Sequence, residues 1–273
     1  MDGVIELDNV RHTYRDGTEA LRGVSLTLRA DTLTAVIGHN GSGKTTLVKH
    51  LNGLLRPTNR DGAVRVRAGG AVVSTRDRPL HVLAATVGYV FQNPDRQIFH
   101  DTCREELAFG LANLGVHGAA AETRIAAMLE RMGLSAYADA NPAQLSRGER
   151  QRLAIAATLV MEPAVVVVDE PTTGQDRHEA RAILQMLAGY RADGHLVVIV
   201  SHDMALVAEH ADRIIAMRDG AVLADGPPRE VFASPEILES TNIRPPQIAA
   251  FAARIGRPGP LTVGEAVAAL GRN

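Results

Sequence analysis

The sequence predicts an α/β protein with a largely parallel sheet. Two runs of mainly β-branched residues, 165–168 and 196–200, are typical of strands that are buried on both faces of such a sheet. The segment between them carries apolar residues at helical spacing, namely Ile183, Leu184, Leu187 and Tyr190. A strand, a helix and a strand in this order form a βαβ unit, in which helices cover the sheet.

The first ninety residues predict mostly short strands. Val64 and Val66 alternate with arginines, and a turn is expected at Gly69 and Gly70. Residues 33–37 form another apolar strand, which leads into a glycine-rich loop and a helix that begins near residue 43.

From about residue 105 to residue 160 the pattern becomes helical. One helix is expected to begin near Ala119, with an apolar stripe that packs on the core and consists of Ile125, Met128, Leu129 and Met132. After Gly226 the composition changes, because seven of the thirteen prolines lie between Pro227 and Pro260. This segment is predicted to be a small appended region with one or two short helices.

Composition excludes several classes of protein. The chain has 273 residues, a net charge of −2 and only 3% aromatic residues, so a nucleic-acid partner is not expected. The single cysteine, Cys103, excludes an intrachain disulfide and is compatible with a reducing compartment. The first residues lack the features of a signal peptide, and the apolar runs are too short to cross a membrane. We therefore expect a cytoplasmic protein that is able to bind a membrane protein.

Residues 38–45 match the phosphate-binding pattern G-x-x-x-x-G-K-[ST], between a buried strand and a helix. Backbone N–H groups and the helix N-terminus bind phosphate oxygens, while Lys44 reaches the β- and γ-phosphates and the Thr45 hydroxyl ligates Mg²⁺. The alternative is a chance glycine-rich turn. The expected nucleotide-binding residues are Gly38, His39, Asn40, Gly41, Ser42, Gly43, Lys44, Thr45 and Thr46.

The strand at 165–168 is followed by two carboxylates, Asp169 and Glu170. Ligands of open α/β sheets bind at the carboxyl ends of the strands, where this pair is expected. Asp169 would hold Mg²⁺ through water, and Glu170 would polarise the attacking water. Acidic residues also end strands for solubility alone, but the phosphate-binding loop favours the functional interpretation.

Together these motifs resemble the ATP-binding subunits of ABC transporters, in the expected order and over nearly the whole chain. The resemblance implies a P-loop NTPase (RecA-like) core with an N-terminal antiparallel β-subdomain, a helical subdomain at about 93–160 and a small C-terminal extension. The nucleotide-binding domain would span 1–226 and the extension 227–273. The extension would either hold two ATPase subunits together or only cover its own core. ATP and Mg²⁺ are the implied cofactors.

The resemblance also implies roles for single residues. Tyr14 would stack on adenine, unless it is an edge-strand tyrosine that stacks on nothing. Gln92 would link Mg²⁺ and the attacking water to the transport partner, and His202 would contact the γ-phosphate. The implied catalytic residues are therefore Glu170, His202 and Gln92, and the implied metal ligands are Thr45, Gln92 and Asp169.

Residues 145–151 resemble the family's signature motif, in which Ser146 and Gly148 bind the γ-phosphate held by a second subunit. The chain departs from the motif at Arg147, where the family has glycine, and at Glu149, where it has glutamine. These two residues would form a local charge pair, or Arg147 would add positive charge near the partner's γ-phosphate. Residues 171–176 resemble the loop that touches the other subunit, so a second ATPase subunit, identical or homologous, is implied.

Residues 91–99 and 105–110 resemble the energy-coupling-factor branch, which imports vitamins and cobalt or nickel ions. In that branch, ATPases at the cytoplasmic face drive a transmembrane coupling protein and a small substrate-binding membrane protein. The segment after Gln92 would receive the coupling protein. Phe99 and Phe109 are then expected in the core, and 95–97 at the partner or in solvent. The alternatives are another class of ABC transporter, a soluble ABC ATPase, or a subunit that does not hydrolyse ATP.

Overall fold

The computed structural model describes residues 3–68 and 70–270, which include two β-sheets. One is a four-stranded antiparallel sheet with the strand order β2-β1-β4-β5. Its strands are β1 (Gly3–Thr13), β2 (Glu19–Arg29), β4 (Ala63–Ala68) and β5 (Ala71–Ser74). Gly69, part of the expected turn before β5, lies outside the described residues.

The second sheet has six strands in the order β10-β9-β3-β8-β7-β6. They are β3 (Leu33–Ile37), β6 (Val87–Val90), β7 (Val165–Asp169), β8 (Leu196–Val200), β9 (Arg213–Arg218) and β10 (Ala221–Gly226). All neighbours pair in parallel except the hairpin of β9 and β10. The predicted α/β class, and the strands predicted at 33–37, 165–168 and 196–200, are confirmed.

Helices lie between the strands along the chain. In chain order they are α1 (Lys44–Leu51), α2 (Leu80–Ala84), α3 (Cys103–Asn113), α4 (Gly118–Arg131), α5 (Arg147–Leu159), α6 (Arg177–Ala192) and α7 (Met204–His210). The predicted helix near residue 119 is α4. Ile125 and Leu129 of its apolar stripe are buried, as expected.

The six-stranded sheet separates two hydrophobic clusters. Val166 and Val168 of β7 pack on the side that carries α3, α5 and α6, whereas Val165 and Val167 pack on the opposite side. On that opposite side, α1 lies against strands of both sheets. Because both faces of the sheet are covered, polar side chains of its parallel strands collect at the strand ends.

The C-terminal region contains four helices within the described residues, so the prediction of one or two was wrong. They are α8 (Pro228–Ala233), α9 (Pro235–Thr241), α10 (Gln247–Arg254) and α11 (Val263–Leu270). Pro228 and Pro235 stand in the first helical turn, where a missing N–H costs nothing, so these prolines begin helices instead of interrupting them. Residues 271–273 of the expected extension lie outside the described part.

None of the helices in 3–68 and 70–270 has both the length and the apolar character that a bilayer crossing requires.

Gly88 of β6 provides a test of the contact between the sheet and α5. A Cβ at this position would lie 2.5 Å from Cγ2 of Thr158 and 3.1 Å from Cγ of Pro163. We expect Gly88→Ala to lower the free energy of unfolding by about 1–3 kcal/mol, because an added methyl overpacks the core. Urea unfolding measures the difference.

The matched control is Gly264→Ala on α11, where an added Cβ meets no atom within 4 Å. This variant should be as stable as wild type or more stable by up to about 1 kcal/mol, since alanine favours helix over glycine. Equal losses in both variants would contradict the packing of β6 on α5.

Candidate active site

The loop between β3 and α1 surrounds the Lys44 side chain. Its Nζ atom donates hydrogen bonds to the carbonyl oxygens of Gly38, at 2.8 Å, and His39, at 2.9 Å. Lys44 is buried, which lowers its pKa, while the negative charges of Glu170 and Asp169 oppose that shift. The loop therefore holds a buried cation close to two carboxylates.

Glycines allow the loop to pass close to neighbouring strands. Gly43 has a φ of 102°, and a Cβ on it would lie 2.5 Å from the carbonyl oxygen of Ala20. A Cβ on Gly38 would collide with the carbonyl oxygen of Met217. Only glycine fits at both positions, so the loop keeps its shape through contacts outside itself.

The N-terminus of α1 has no side-chain cap. Four other helices of the core begin at side-chain caps, which are Thr102, Ser146, Asp176 and Asp203. The first-turn N–H groups of α1 are therefore left for a ligand. Within the described residues, the buried hydroxyl oxygen of Ser42 also lacks a hydrogen-bond partner. Both observations fit a bound phosphate group.

The other predicted phosphate-binding residues lie in the same place. Asn40 and Gly41 belong to the loop, and Thr45 and Thr46 belong to the first turn of α1. The Thr46 hydroxyl lies 3.0 Å from the phenol oxygen of Tyr14. The structure thus brings Tyr14, predicted from the N-terminal segment, to the edge of the loop.

Tyr14 lies against His12, which in turn lies against His50. The ring of His12 lies edge-on to Tyr14 with 4.7 Å between centroids, and His50 of α1 lies 4.9 Å from His12. His50 is fully buried, and its Nδ1 atom is 2.7 Å from the carbonyl oxygen of Thr46. One side of the exposed Tyr14 ring therefore packs on His12, and His12 packs on the buried His50.

Asp169 ends β7 and is 5% exposed. The hydroxyl of Tyr89 donates a hydrogen bond to its Oδ2 atom at 3.1 Å, and the Thr45 hydroxyl hydrogen-bonds to the same carboxylate. Burial raises the pKa of Asp169, whereas these two hydrogen bonds lower it. A hydroxyl and a carboxylate are the oxygen donors that Mg²⁺ prefers, so Thr45 and Asp169 fit the predicted metal.

Glu170, the next residue, has three side-chain partners. The Gln92 amide nitrogen donates to its Oε2 atom at 2.8 Å, and the Thr173 hydroxyl donates to the same atom at 2.9 Å. The His202 Nε2 atom lies 2.9 Å from Oε1. We call Glu170, Gln92, Thr173 and His202 the carboxylate cluster. It unites the three predicted catalytic residues with Thr173.

Thr173 was not singled out from the sequence. The chain turns back after Glu170, whose φ of 53° lies in the left-handed region, and the Thr173 N–H approaches the Glu170 carbonyl oxygen at 3.3 Å. The signal in the sequence was the spacing of three residues between an acid and a hydroxyl. That spacing alone does not specify a turn.

The signature residues lie at the N-terminus of α5. Ser146 is the N-cap: its hydroxyl accepts a hydrogen bond from the Glu149 N–H, and the Glu149 carboxylate accepts one from the Ser146 N–H at 2.7 Å. Gly148 packs against the carboxylate of Glu179, which a Cβ would approach to 2.6 Å. Within the described residues, no hydrogen bond joins Ser146 or Gly148 to the loop at 38–43.

The predicted charge pair of Arg147 with Glu149 was wrong. No ion pair joins them in the described part of the chain, because Glu149 occupies the helix position from which a carboxylate caps the N-terminus. The Arg147 guanidinium instead covers Gly174, so that a Cβ on Gly174 would lie 2.7 Å from its Cζ atom.

The segment after Gln92 also differs from expectation. Phe99 and Phe109 were predicted in the core, but they are 65% and 46% exposed, with ring centroids 5.0 Å apart. The buried Glu106 carboxylate accepts hydrogen bonds from the N–H groups of Phe99 and His100 at 3.0 Å and holds that turn on the surface, where the Phe99 ring contacts Phe109 of α3. We call Phe99, His100 and Phe109 the aromatic cluster.

Residues 95–97 were expected to face a partner or solvent. Asp95 and Arg96 are exposed. The Gln97 amide points inward: it donates to the Ala154 carbonyl oxygen at 3.0 Å and accepts from the Phe91 N–H at 3.1 Å. The prediction for Gln97 was wrong, because its amide anchors this segment to α5.

Comparison with known proteins places this geometry in context. Residues 21–173 match the family model described as ABC transporter. The energy-coupling factor transporter ATP-binding protein EcfA of Methanothermobacter thermautotrophicus is 40% identical over 256 residues, which cover 94% of this chain and 81% of that protein. A Methanosarcina mazei relative is 41% identical over 266 residues, but this chain spans only 44% of its length.

Two solved structures are similar along most of the chain. CbiO1 of Clostridium perfringens, described as part of the ABC transporter complex CbiONQ, has a TM-score of 0.77 and 31% identity, covering 93% of this chain and all of that one. A dimeric ATP-binding cassette in a post-hydrolysis state with ADP and phosphate has a TM-score of 0.71 and 30% identity, covering 82% and 98%.

The pH dependence of the free energy of unfolding tests whether His50, which packs on His12 near Tyr14, is buried in its neutral form. Burial lowers the pKa of His50 to about 4, whereas an unfolded histidine titrates near 6.5. The unfolded chain therefore takes up a proton first as the pH falls. We expect His50 to remove about 2–3 kcal/mol of stability between pH 7 and pH 4.5.

The measurement is urea unfolding of wild type and His50→Gln at both pH values. In His50→Gln, the loss of stability that His50 causes at low pH should disappear. His178→Gln serves as control, since His178 is exposed on α6. A pH dependence in His50→Gln as steep as in wild type would rule out a buried neutral His50.

Proposed function

This chain belongs to the ABC transporter family, and we propose that it binds and hydrolyses ATP to power an energy-coupling-factor importer of a vitamin or a transition-metal ion. The observation that carries the proposal is the carboxylate cluster, in which Gln92, Thr173 and His202 converge on Glu170. This cluster lies at the same sheet edge as Lys44 and Asp169, because β3, β7 and β8 are parallel. The similarity to EcfA and CbiO1 supports the choice of branch.

Nucleotide binding would use the loop and the first turn of α1. The uncapped N–H groups and Lys44 bind the β- and γ-phosphates, and Tyr14 lies at the loop's edge, where it can stack on adenine. Thr45, Asp169 and Gln92 would hold Mg²⁺, which when bound neutralises charge on the phosphate oxygens. Residues 38–46 thus bind the triphosphate, whereas Tyr14 would add a stacking contact to the base.

Hydrolysis would proceed at Glu170. Its carboxylate accepts a hydrogen bond from a water molecule and orients that water toward the γ-phosphorus. A bond forms between the water oxygen and the γ-phosphorus while the bond from the γ-phosphorus to the bridging oxygen breaks. The water gives up a proton to the Glu170 carboxylate, and ADP and inorganic phosphate are the products. His202 donates a hydrogen bond to the γ-phosphate and stabilises the developing charge. Gln92 links the Glu170 carboxylate to the segment that precedes the aromatic cluster.

A second subunit would complete the site. Ser146 and Gly148 are separate from the loop at 38–43 in a single chain, so they would bind the γ-phosphate held by another copy or a homologue. The C-terminal extension has apolar residues suited to covering its own core and others suited to holding two ATPase subunits together. Val231 and Phe232 of α8 cover the chain's own core, while four apolar residues of the last segment are 45–65% exposed, namely Phe251, Ile255, Val263 and Val267.

The aromatic cluster would contact a transmembrane coupling protein, which in turn binds a small substrate-binding membrane protein. Phe99 and Phe109 present apolar rings beside the segment that begins at Gln92. Apolar residues exposed together mark interaction surfaces on soluble proteins. This arrangement would place the chain peripherally at the cytoplasmic face of the membrane, with Gln92 joining the partner surface to Glu170.

Glu170→Gln tests the catalytic role. The amide keeps the size of the side chain but is a far weaker base, so ATP hydrolysis by the assembled complex should fall by about 10²–10⁴-fold while ATP binding persists. Steady-state phosphate release and equilibrium nucleotide binding measure the two effects.

Glu130→Gln is the matched control, because Glu130 is exposed on α4. It should leave hydrolysis unchanged. Full hydrolysis by the Glu170→Gln complex would place the active site elsewhere, and would favour a subunit that binds ATP without turning it over.

Phe99→Asp tests the partner surface. A charge in the aromatic cluster should reduce co-purification of membrane proteins with the tagged chain by about tenfold or more, because central aromatic anchors carry most of an interface's energy. Nucleotide binding should be unaffected. The control Val72→Asp alters a residue that is 51% exposed on β5.

Mass spectrometry of the co-purified proteins identifies the branch. A coupling protein with small membrane proteins supports the proposal. Two large permeases with an extracytoplasmic binding protein would indicate another class of ABC transporter, and purely soluble partners would contradict a role in transport.

A further inference from the structure

Tyr89 contacts Asp169, the proposed metal ligand. It is 8% exposed, and its hydroxyl donates a hydrogen bond to Oδ2 of Asp169 at 3.1 Å. Its ring lies against Phe91, with 5.0 Å between centroids. The phenol therefore reaches Asp169 from the interior of the protein.

The position of this ring follows from strand pairing. β6 pairs in parallel with β7, and Tyr89 stands opposite Val167. Tyr89 packs in the same hydrophobic cluster as Val165 and Val167, on the side of the sheet where α1 lies. Side chains alternate along a strand, so Asp169 projects to the same side as these valines. The hydroxyl is thus aimed at Asp169 by the packing of the sheet.

The hydrogen bond from Tyr89 fixes the orientation of the Asp169 carboxylate. A phenol has one proton to donate, and here Oδ2 accepts it. The Thr45 hydroxyl, which the proposed function assigns to the metal, hydrogen-bonds to the same carboxylate. The hydrogen bond from Tyr89 on β6 restricts rotation of the Asp169 carboxylate, which Thr45 approaches from α1. Residues that orient a metal ligand in this way raise the affinity of the site.

We propose that Tyr89 is a positioning residue of the Mg²⁺ site: its hydroxyl holds Oδ2 of Asp169 and fixes the orientation in which this carboxylate would serve the metal or its bound water. The inference rests on the proposed function, because it assumes that Asp169 serves a divalent cation. The competing explanation is that Tyr89 is a core tyrosine whose hydroxyl merely finds an acceptor. Tyr190 is such a case: it is 3% exposed, and its hydroxyl donates to the Pro163 carbonyl oxygen at 2.7 Å.

Tyr89→Phe and Tyr190→Phe remove the same atom from two buried tyrosines. The test titrates Mg²⁺ into the full chain with a fluorescent ATP analogue, and measures analogue binding separately in EDTA. We expect Tyr89→Phe to weaken the apparent Mg²⁺ affinity by about tenfold and to leave binding in EDTA unchanged. Tyr190→Phe should leave both quantities unchanged.

A combined variant covers the possibility that Tyr89→Phe weakens the fold. In the Asp169→Asn background, Tyr89→Phe should cause no further loss of Mg²⁺ affinity, since residues that act through one another are not additive. An added loss there, or a loss of analogue binding in EDTA, would overturn the positioning role.

The response of nucleotide binding to Mg²⁺ distinguishes a failure of the Tyr89 role from a failure of the proposed function. An unchanged Mg²⁺ affinity in Tyr89→Phe, with wild type responding normally to Mg²⁺, overturns the inference alone. A wild-type chain whose nucleotide binding does not respond to Mg²⁺ at all overturns the proposed function together with the inference.

Discussion

The parallel pairing of β3, β8 and β7 is the constraint on which the rest of the structure depends. Both faces of these strands are buried, so their charged residues appear only where the strands end. Parallel strands end at the same edge, which brings Lys44, Asp169, Glu170 and His202 together from distant parts of the chain. The site therefore forms at this edge because both faces of the sheet are buried.

Burial at this edge makes the charges depend on one another. Lys44 is taken out of water, and the nearby carboxylates of Asp169 and Glu170 offset the cost of keeping it charged. Asp169 is itself buried and has the hydroxyls of Tyr89 and Thr45 as donors. In the proposed function, a triphosphate and a cation would enter this site together, and their opposite charges would offset each other. The N-terminus of α5 does not belong to this group of charges, which suits its proposed role at the nucleotide of a second subunit.

Sequence patterns predicted this core well, since a buried strand and an amphipathic helix each follow from local periodicity. They were less successful where a side chain's surroundings decide its role. Phe99 is apolar yet exposed, because the buried Glu106 carboxylate holds its backbone at the surface. Arg147 and Glu149 are close in sequence, but the Glu149 carboxylate caps α5 instead of pairing with Arg147. Prolines that predicted few helices after residue 227 begin two of them.

By itself the sequence determined the α/β class, the phosphate-binding loop at 38–45 and the acidic end of β7, because each is encoded by residues that are neighbours in the chain. Only the tertiary structure decided which groups surround the two carboxylates. Tyr89 and Asp169 are 80 residues apart, and Gln92 and Glu170 are 78 apart. Their contacts depend on β6 lying next to β7, and strand order results from the packing of the whole domain, which no local pattern encodes.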